Sequence, residues 1–237
     1  MHAVILAGGR GTRLAPYTTI LPKPLMPVGQ MPILELILRQ LRSHGFSDVT
    51  LAVGYLRHLI RAYFGDGERL GLDLVYSEET EALGTAGPLA NILNTLPETF
   101  LVMNGDVLSD ISYIDLFNCH LRVGAAASIA TFERETKVDF GVLLTDENDR
   151  LVEYQEKPVY HHRISMGIYI LQREKIRPLL ISGHYLDMPD LVRALAERGE
   201  IVHCYKANGM WLDIGRPDDY ESAQTLAEQW TVDTAAR

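Results

Sequence analysis

The residues between Gly8 and Gln30 constrain the fold more than any other part of the chain. They follow a short apolar strand, His2-Ala3-Val4-Ile5-Leu6-Ala7, and precede an amphipathic helix, yet the pattern predicts no regular element within them. Gly8, Gly9 and Gly11 break the start, and Pro16, Pro22, Pro24 and Pro27 break the remainder. A structureless stretch of this length is uncommon inside a compact domain and is usually functional. Its charge is one-sided. No acid precedes Glu35, whereas Arg10, Arg13 and Lys23 all fall within it, in a chain of net charge -9. A local cationic segment in an acidic protein points to a small polyanion; nucleic acid would need a broad basic face.

From Met31 the pattern turns helical, with Ile33, Leu34, Ile37, Leu38 and Leu41 on one face and Gly45 as the stop. Residues 49–53 read as a strand, 58–64 as a helix, 72–76 as a strand, 86–93 as a helix and 100–103 as a buried strand. This alternation predicts an α/β fold with a mainly parallel sheet and helices on both faces. Ligands of such sheets bind at the carboxyl ends of the strands, where Gly8–Arg13 and Asn104–Asp106 both fall. The second half reads as strands over 125–132, 141–145, 151–154 and 164–171, with an antiparallel turn at Asp146-Glu147-Asn148-Asp149. Helices are expected over 174–181, 190–198 and 217–228. We expect a single domain over 1–230 and a frayed tail over 231–237.

Hydrophobic residues at 47% suffice for a sizeable core, and charged residues at 22% match a soluble globular protein. Cys119 and Cys204 match no metal-ligand spacing and read as reduced, partly buried thiols. No basic leader precedes the first strand, and no apolar run is long enough for a membrane span, so a soluble cytoplasmic protein is expected. A homodimer is the default for such a protein.

Two motifs could carry chemistry. Gly8-Gly9-Arg10-Gly11-Thr12-Arg13-Leu14 follows a strand; its glycines let backbone N–H groups approach phosphate oxygens, and its arginines add forked donors. It is not a Walker A loop, which needs Gly-Lys-Ser/Thr, nor a dinucleotide fingerprint, since Leu14 stands where the third glycine belongs and Pro16 follows. In Leu21-Pro22-Lys23-Pro24-Leu25, prolines on both sides fix the backbone and aim the Lys23 ammonium. Taken singly, each also reads as an ordinary turn. No Asp-x-Asp metal motif of the glycosyltransferase kind occurs.

Together the two motifs resemble the signature of the sugar-1-phosphate nucleotidylyltransferases, and the resemblance runs along nearly the whole chain. Leu83-Gly84-Thr85-Ala86-Gly87-Pro88-Leu89 resembles the family's base-recognition segment and Asn104-Gly105-Asp106 its metal-binding strand end. Glu156-Lys157-Pro158 is similar to its sugar-phosphate clamp, and Trp211-Leu212-Asp213-Ile214-Gly215 to its second metal-binding segment. The resemblance implies a Rossmann-like, three-layer mixed sheet with an inserted sugar-binding region. It implies that Arg13 and Lys23 act on the phosphates, and that Leu6, Ala7, Gly8, Gly9, Gly11, Thr12, Gly84, Thr85, Asn104 and Gly105 bind the nucleotide. Gly141, Glu156, Lys157 and Ser165 would bind the sugar phosphate, and Asp106 and Asp213 would hold Mg²⁺. The substrates implied are a nucleoside triphosphate and a sugar 1-phosphate. Segments 83–89 and 209–217 resemble those of mannose-1-phosphate guanylyltransferases, and short heptose-1-phosphate guanylyltransferases are related and similar in length, which points to GTP; thymidylyl-, uridylyl- and cytidylyl-transferring relatives share most of the same residues. Where relatives often carry Asn-Ala-Gly, this chain has Ser165-Met166-Gly167, and altered sugar contacts are expected from both exchanges.

Overall fold

The computed structural model describes residues 1–234. In chain order the strands are β1 (His2–Ala7), β2 (Pro27–Val28), β3 (Met31–Pro32), β4 (Asp48–Val53), β5 (Asp73–Glu78), β6 (Thr99–Asn104), β7 (Val107–Ser109), β8 (Ala127–Lys137), β9 (Val142–Thr145), β10 (Leu151–Gln155), β11 (Val159–Gln172), β12 (Val202–Lys206) and β13 (Trp211–Asp213). The helices are α1 (Ile33–Ser43), α2 (Arg57–Phe64), α3 (Pro88–Ile92), α4 (Tyr113–Val123), α5 (Arg173–Ile176), α6 (Met188–Glu197) and α7 (Pro217–Thr234).

One sheet runs β12-β8-β11-β6-β1-β4-β5. β1 pairs in parallel with both β4 and β6, and β4 with β5, while β11 lies antiparallel to β6 and β8. The sheet is therefore the mixed, mainly parallel one expected. Alternation along β1 sends Ala3, Ile5 and Ala7 into one core and Val4 into the other. The first core is closed by α1, α2 and α4, whose Ile33, Leu34, Ile37, Leu38, Leu41, Ile60 and Leu116 are all fully buried. The second is closed by α3, α5 and α6 through Leu89, Ile176, Leu191 and Leu195. Each such side chain contributes about 1.5–3 kcal/mol when withdrawn from water.

Several boundaries differ from the sequence reading. The Gly8–Gln30 stretch is not wholly irregular: it folds into three single 3₁₀ turns, Thr12–Leu14, Tyr17–Thr19 and Lys23–Leu25, and β2 pairs with β3. The turns form because Leu14, Thr18, Leu25 and Met26 are buried and anchor it, a local packing that periodicity does not reveal. The helix expected over 174–181 ends as α-helix at Ile176 and tightens to a 3₁₀ turn over Arg177–Leu179, where Pro178 lacks a backbone donor. β7, β12 and β13 were not expected; two of them span only three residues, too few for a period to register. α7 extends past Glu228, and residues 235–237 of the expected tail lie outside those described. Cys204 is exposed, not partly buried, and both cysteines are free.

β8 and β11 continue beyond the sheet as an antiparallel ribbon, pairing from Ser165↔Thr131 out to Val159↔Lys137. The β9–β10 hairpin follows, closed by an Asp146 carboxylate that accepts from the Asn148 and Arg150 N–H groups at 2.9 Å each. This arm carries Gly141, Glu156 and Lys157.

Candidate active site

β1 sits where the strand order reverses, between β4 and β6, and ligands of open α/β sheets bind at such a point, beyond the carboxyl ends of the strands. There the chain leaves β1 through Gly8 and Gly9, β4 through Gly54, and β6 through Gly105. The backbones crowd together: a side chain at Gly54 would meet the Gly8 carbonyl oxygen at 2.8 Å, and Gly105 N–H donates to the Leu6 carbonyl at 2.9 Å. Only glycine permits this approach. The cavity so formed holds about 500 Å³ and is lined by Leu6, Ala7, Gly8, Gly9, Gly11, Thr12, Arg13, Lys23, Gly84, Thr85, Asn104, Gly105 and Asp106, together with Pro24, Glu79, Ala82, Leu83, Tyr185 and Asp187. All ten residues expected to bind nucleotide line it, as do Arg13, Lys23 and Asp106.

The glycine-rich loop holds its shape through Gly11, whose φ of 62° suits a residue without a side chain; Leu14 N–H and Thr18 Oγ1 both donate to its carbonyl, at 2.9 and 2.8 Å. The turn that buries Leu14 leaves Arg13 exposed, its guanidinium against Gly215, where an added Cβ would lie 3.3 Å away. The Pro-Lys-Pro turn buries Lys23 to 8% exposure and directs its ammonium onto the Asp106 carboxylate, with which it forms a salt bridge.

Asp106 and Asp213 converge from distant parts of the chain. β7 pairs with β13 in the register Val107↔Asp213, and Ile214 N–H donates to the Asp106 carbonyl at 3.1 Å. Burial first, and then the Asp106 charge, push the Asp213 carboxyl above the usual range, against Lys23 and Arg13. Asp106 Oδ1 is buried without a hydrogen-bond partner. A half-buried carboxylate pair with an unsatisfied oxygen suits Mg²⁺, which takes one or two protein carboxylates and completes its shell with water and phosphate. The fit thus rests on these two residues; among the described residues there is no larger cluster of metal-ligating side chains.

The residues expected on the sugar side do not line this cavity. Ser165 is adjacent: antiparallel pairing of β11 with β6 brings Gly167 against the Asn104 side chain, and Ser165 Oγ lies 3.0 Å from the Tyr169 hydroxyl. Met166 points the other way, 1% exposed in the core, with its carbonyl accepting from Trp211 Nε1 at 3.0 Å. The expectation that Met166 alters sugar contacts is therefore corrected, because alternation along the strand faces it inward. On the arm, Glu156 accepts from the Tyr154 hydroxyl at 3.1 Å, Gly141 packs against the Tyr154 ring, and Lys157 is exposed with a left-handed φ of 46°.

Four lining residues escaped the sequence reading, Ala82 and three polar ones. Glu79 follows β5. Asp187 comes from the loop before α6 and accepts from both Thr85 N–H and Thr85 Oγ1, at 3.0 and 3.2 Å, fixing the 83–87 segment from beyond the sheet. Tyr185 donates to Asp187 at 2.7 Å and stands exposed at the cavity mouth. None belongs to a motif; the extra acid in Ser77-Glu78-Glu79 was the available signal for Glu79 alone.

A glycine-lined crevice at the reversal point of a mainly parallel sheet, with cations facing paired carboxylates, defines an α/β protein of the nucleotide-diphospho-sugar transferase fold. The chain belongs to the nucleotidyl transferase family, whose profile it matches over residues 2–229. It is 36% identical over 242 residues to a UTP--glucose-1-phosphate uridylyltransferase of Synechocystis sp., covering 94% of this chain and 62% of that protein. It is 36% identical to a mannose-1-phosphate guanylyltransferase catalytic subunit beta of Drosophila pseudoobscura pseudoobscura, covering 95% and 62%. With a mannose-1-phosphate guanylyltransferase of Mycobacterium tuberculosis the identity is 34%, over 93% and 62%. The chain thus spans about 62% of the length of these curated relatives. Among solved structures, HddC from Yersinia pseudotuberculosis superposes with a TM-score of 0.74 at 25% identity, covering 97% of this chain and 99% of that one. A putative glucose-1-phosphate thymidylyltransferase from Bacillus anthracis shares the fold at a TM-score of 0.77, covering 96% and 95%. No helix among the described residues is long and apolar enough to cross a membrane.

Proposed function

We propose that the chain transfers a nucleotidyl group from a nucleoside triphosphate to a sugar 1-phosphate, releasing pyrophosphate, with GTP as donor and a mannose- or heptose-type 1-phosphate as acceptor. The observation that carries the reading is the meeting of Arg13, Lys23 and Asp106 in one cavity, with Asp213 beside Asp106. The guanylyl preference is supported by the relatives named as mannose-1-phosphate guanylyltransferases.

The chemistry asks little of the protein beyond position and charge. A sugar phosphate oxygen attacks the α-phosphorus, and the bond to the β-phosphate oxygen breaks. The nucleophile is largely dianionic at neutral pH, since the second pKa of a phosphate monoester is about 6. It needs no general base, and the cavity offers no Ser-His or Cys-His pair among its lining residues. Arg13 neutralises the departing pyrophosphate. Lys23 exchanges the Asp106 carboxylate for a phosphate oxygen near the reacting centre. Asp106 and Asp213 would hold Mg²⁺, whose charge offsets that of the two phosphate groups when bound. Gly141, Glu156 and Lys157 approach the acceptor from the arm, and Ser165 from β11.

The test is pyrophosphate release by the purified protein with Mg²⁺, each of ATP, GTP, CTP, UTP and dTTP, and a panel of sugar 1-phosphates. We expect release that requires both substrates, is fastest with GTP, and falls roughly 10²–10³-fold in Asp106→Asn, in line with the removal of a group that stabilises transition-state charge. No release across the panel from folded protein would overturn the reading. The uridylyltransferase among the relatives makes UTP the competing donor.

A further inference from the structure

Two cations, Arg13 and Lys23, line the cavity against three carboxylates, Glu79, Asp106 and Asp187, and Asp213 stands beside Asp106. Lys23 is already paired with Asp106. Walls with more acid than base resist a triphosphate, and Mg²⁺ at the two aspartates would offset only part of the charge brought together. A further cation is needed where the terminal phosphates lie. The chain supplies one that the proposed chemistry leaves unused: Arg10, at the tip of the glycine-rich loop, between Gly9 and Gly11, which both line the cavity.

Arg10 is exposed, and none of the salt bridges among the described residues includes it. Its guanidinium lies over the Tyr55 ring, 6.0 Å from the centroid. Tyr55 follows β4 and is fixed at both ends: its N–H donates to the Gly8 carbonyl at 3.2 Å, and its hydroxyl donates to the Thr19 carbonyl at 2.9 Å. The ring thus joins the glycine-rich loop to the turn over Tyr17–Thr19 and seats Arg10 at the rim of the cavity. The two arginines of the loop are set apart, Arg13 against Gly215 past β13 and Arg10 against Tyr55 past β4. A contact between a cation and an aromatic ring is weak at an exposed site, and exposed side chains change rotamer within nanoseconds. Phosphate oxygens accept two N–H donors of one guanidinium at once, in charge-assisted bonds. Arg10 therefore leaves the ring readily for a phosphate at the loop.

We propose that Arg10 binds the pyrophosphate end of the incoming triphosphate, and pyrophosphate itself after transfer, and so distinguishes a nucleoside triphosphate from its monophosphate. This rests on the nucleotidyl-transfer reading above but not on the identity of the base.

The experiment measures equilibrium binding, with Mg²⁺, of whichever of GTP and UTP the wild type binds more tightly, of its monophosphate, and of inorganic pyrophosphate. Each displaces a fluorescent analogue of that triphosphate from wild-type protein, Arg10→Met and Arg10→Lys, and melting temperatures are recorded. Arg10→Met should lose roughly 5–30-fold in affinity for the triphosphate and for pyrophosphate, the range for one hydrogen-bonded contact to a charged group. Its affinity for the monophosphate and its melting temperature should be unchanged. Arg10→Lys, which keeps the charge but not the fork of donors, should fall between Arg10→Met and wild type. An equal loss for the monophosphate, or no loss for triphosphate and pyrophosphate, would overturn the proposal and leave the nucleotidyl-transfer reading intact. Folded wild-type protein that binds neither triphosphate nor pyrophosphate would overturn both.

Discussion

Gly84 has a φ of 77°, and a Cβ added there would lie 2.5 Å from the Leu186 carbonyl oxygen and 2.9 Å from Asp187 Oδ1. Both backbone conformation and space exclude a side chain, and the left-handed conformation alone costs an L-residue about 1–2 kcal/mol. Gly84→Ala should therefore weaken nucleotide binding at least tenfold by displacing the loop that carries Thr85, which an equilibrium titration with GTP would measure. Asp187 acts on the same loop from the other side. Without its carboxylate, Thr85 N–H loses its acceptor, and an unsatisfied donor costs about 1–3 kcal/mol. In Asp187→Ala, steady-state kinetics should show a KM for the nucleotide raised about tenfold with kcat less affected. Gly84 and Thr85 were legible as motif residues. The partner that holds them was not, because Asp187 is distant in sequence and meets them only once α6 packs.

Among the elements, α1 was the most legible. Its five apolar positions fall at helical spacing, and all five are fully buried. Its first turn also holds Glu35, only 3% exposed although helical spacing sets it off the apolar face, so its charge must be satisfied from elsewhere. The fold answers by bringing three donors from three elements: Arg39 one turn on, at 2.7 Å; the Tyr63 hydroxyl of α2, at 2.9 Å; and Arg69, at 3.1 Å. Burial alone pushes the Glu35 carboxyl up, but the bonds from Arg39 and Tyr63 and the Arg69 charge outweigh it and hold the pKa below the usual value. The stabilisation is thus present above the ordinary carboxylate pKa and is lost as pH falls through the lowered one. Because both arginine side chains are about half exposed, the loss on substitution is moderate. Glu35→Gln should cost about 1–3 kcal/mol in urea unfolding at pH 7, and less near pH 3.

At the scale of the whole molecule, the sheet joins the half that carries the cavity to β8, β11 and β12, and a buried histidine lies at that second half. His120 of α4 is 2% exposed and meets Ser128 Oγ of β8 at 3.0 Å. Burial, and then the neighbouring His203, lower its pKa to about 4. An unfolded histidine titrates near 6.5, so below that value the unfolded chain binds a proton that the native protein resists. Stability is complete above about pH 6.5 and falls as pH drops toward 4. Melting temperatures at pH 7 and pH 5 should differ clearly in the wild type, and the gap should narrow in His120→Asn.

The sequence by itself determined the α/β class, the helical face of α1, the first parallel strands and the glycine-rich turn after β1, and its family resemblance pointed to the ten residues that line the cavity. These are local properties: a period, a glycine that must be a glycine, a proline-fixed turn. Only the tertiary structure decided that Asp213 stands beside Asp106, that Met166 faces inward, and that Glu79 and Asp187 line the cavity. Such placements follow from strand register, sheet order and helix docking, which are set by packing among residues far apart in the chain and leave no periodic trace within any one segment.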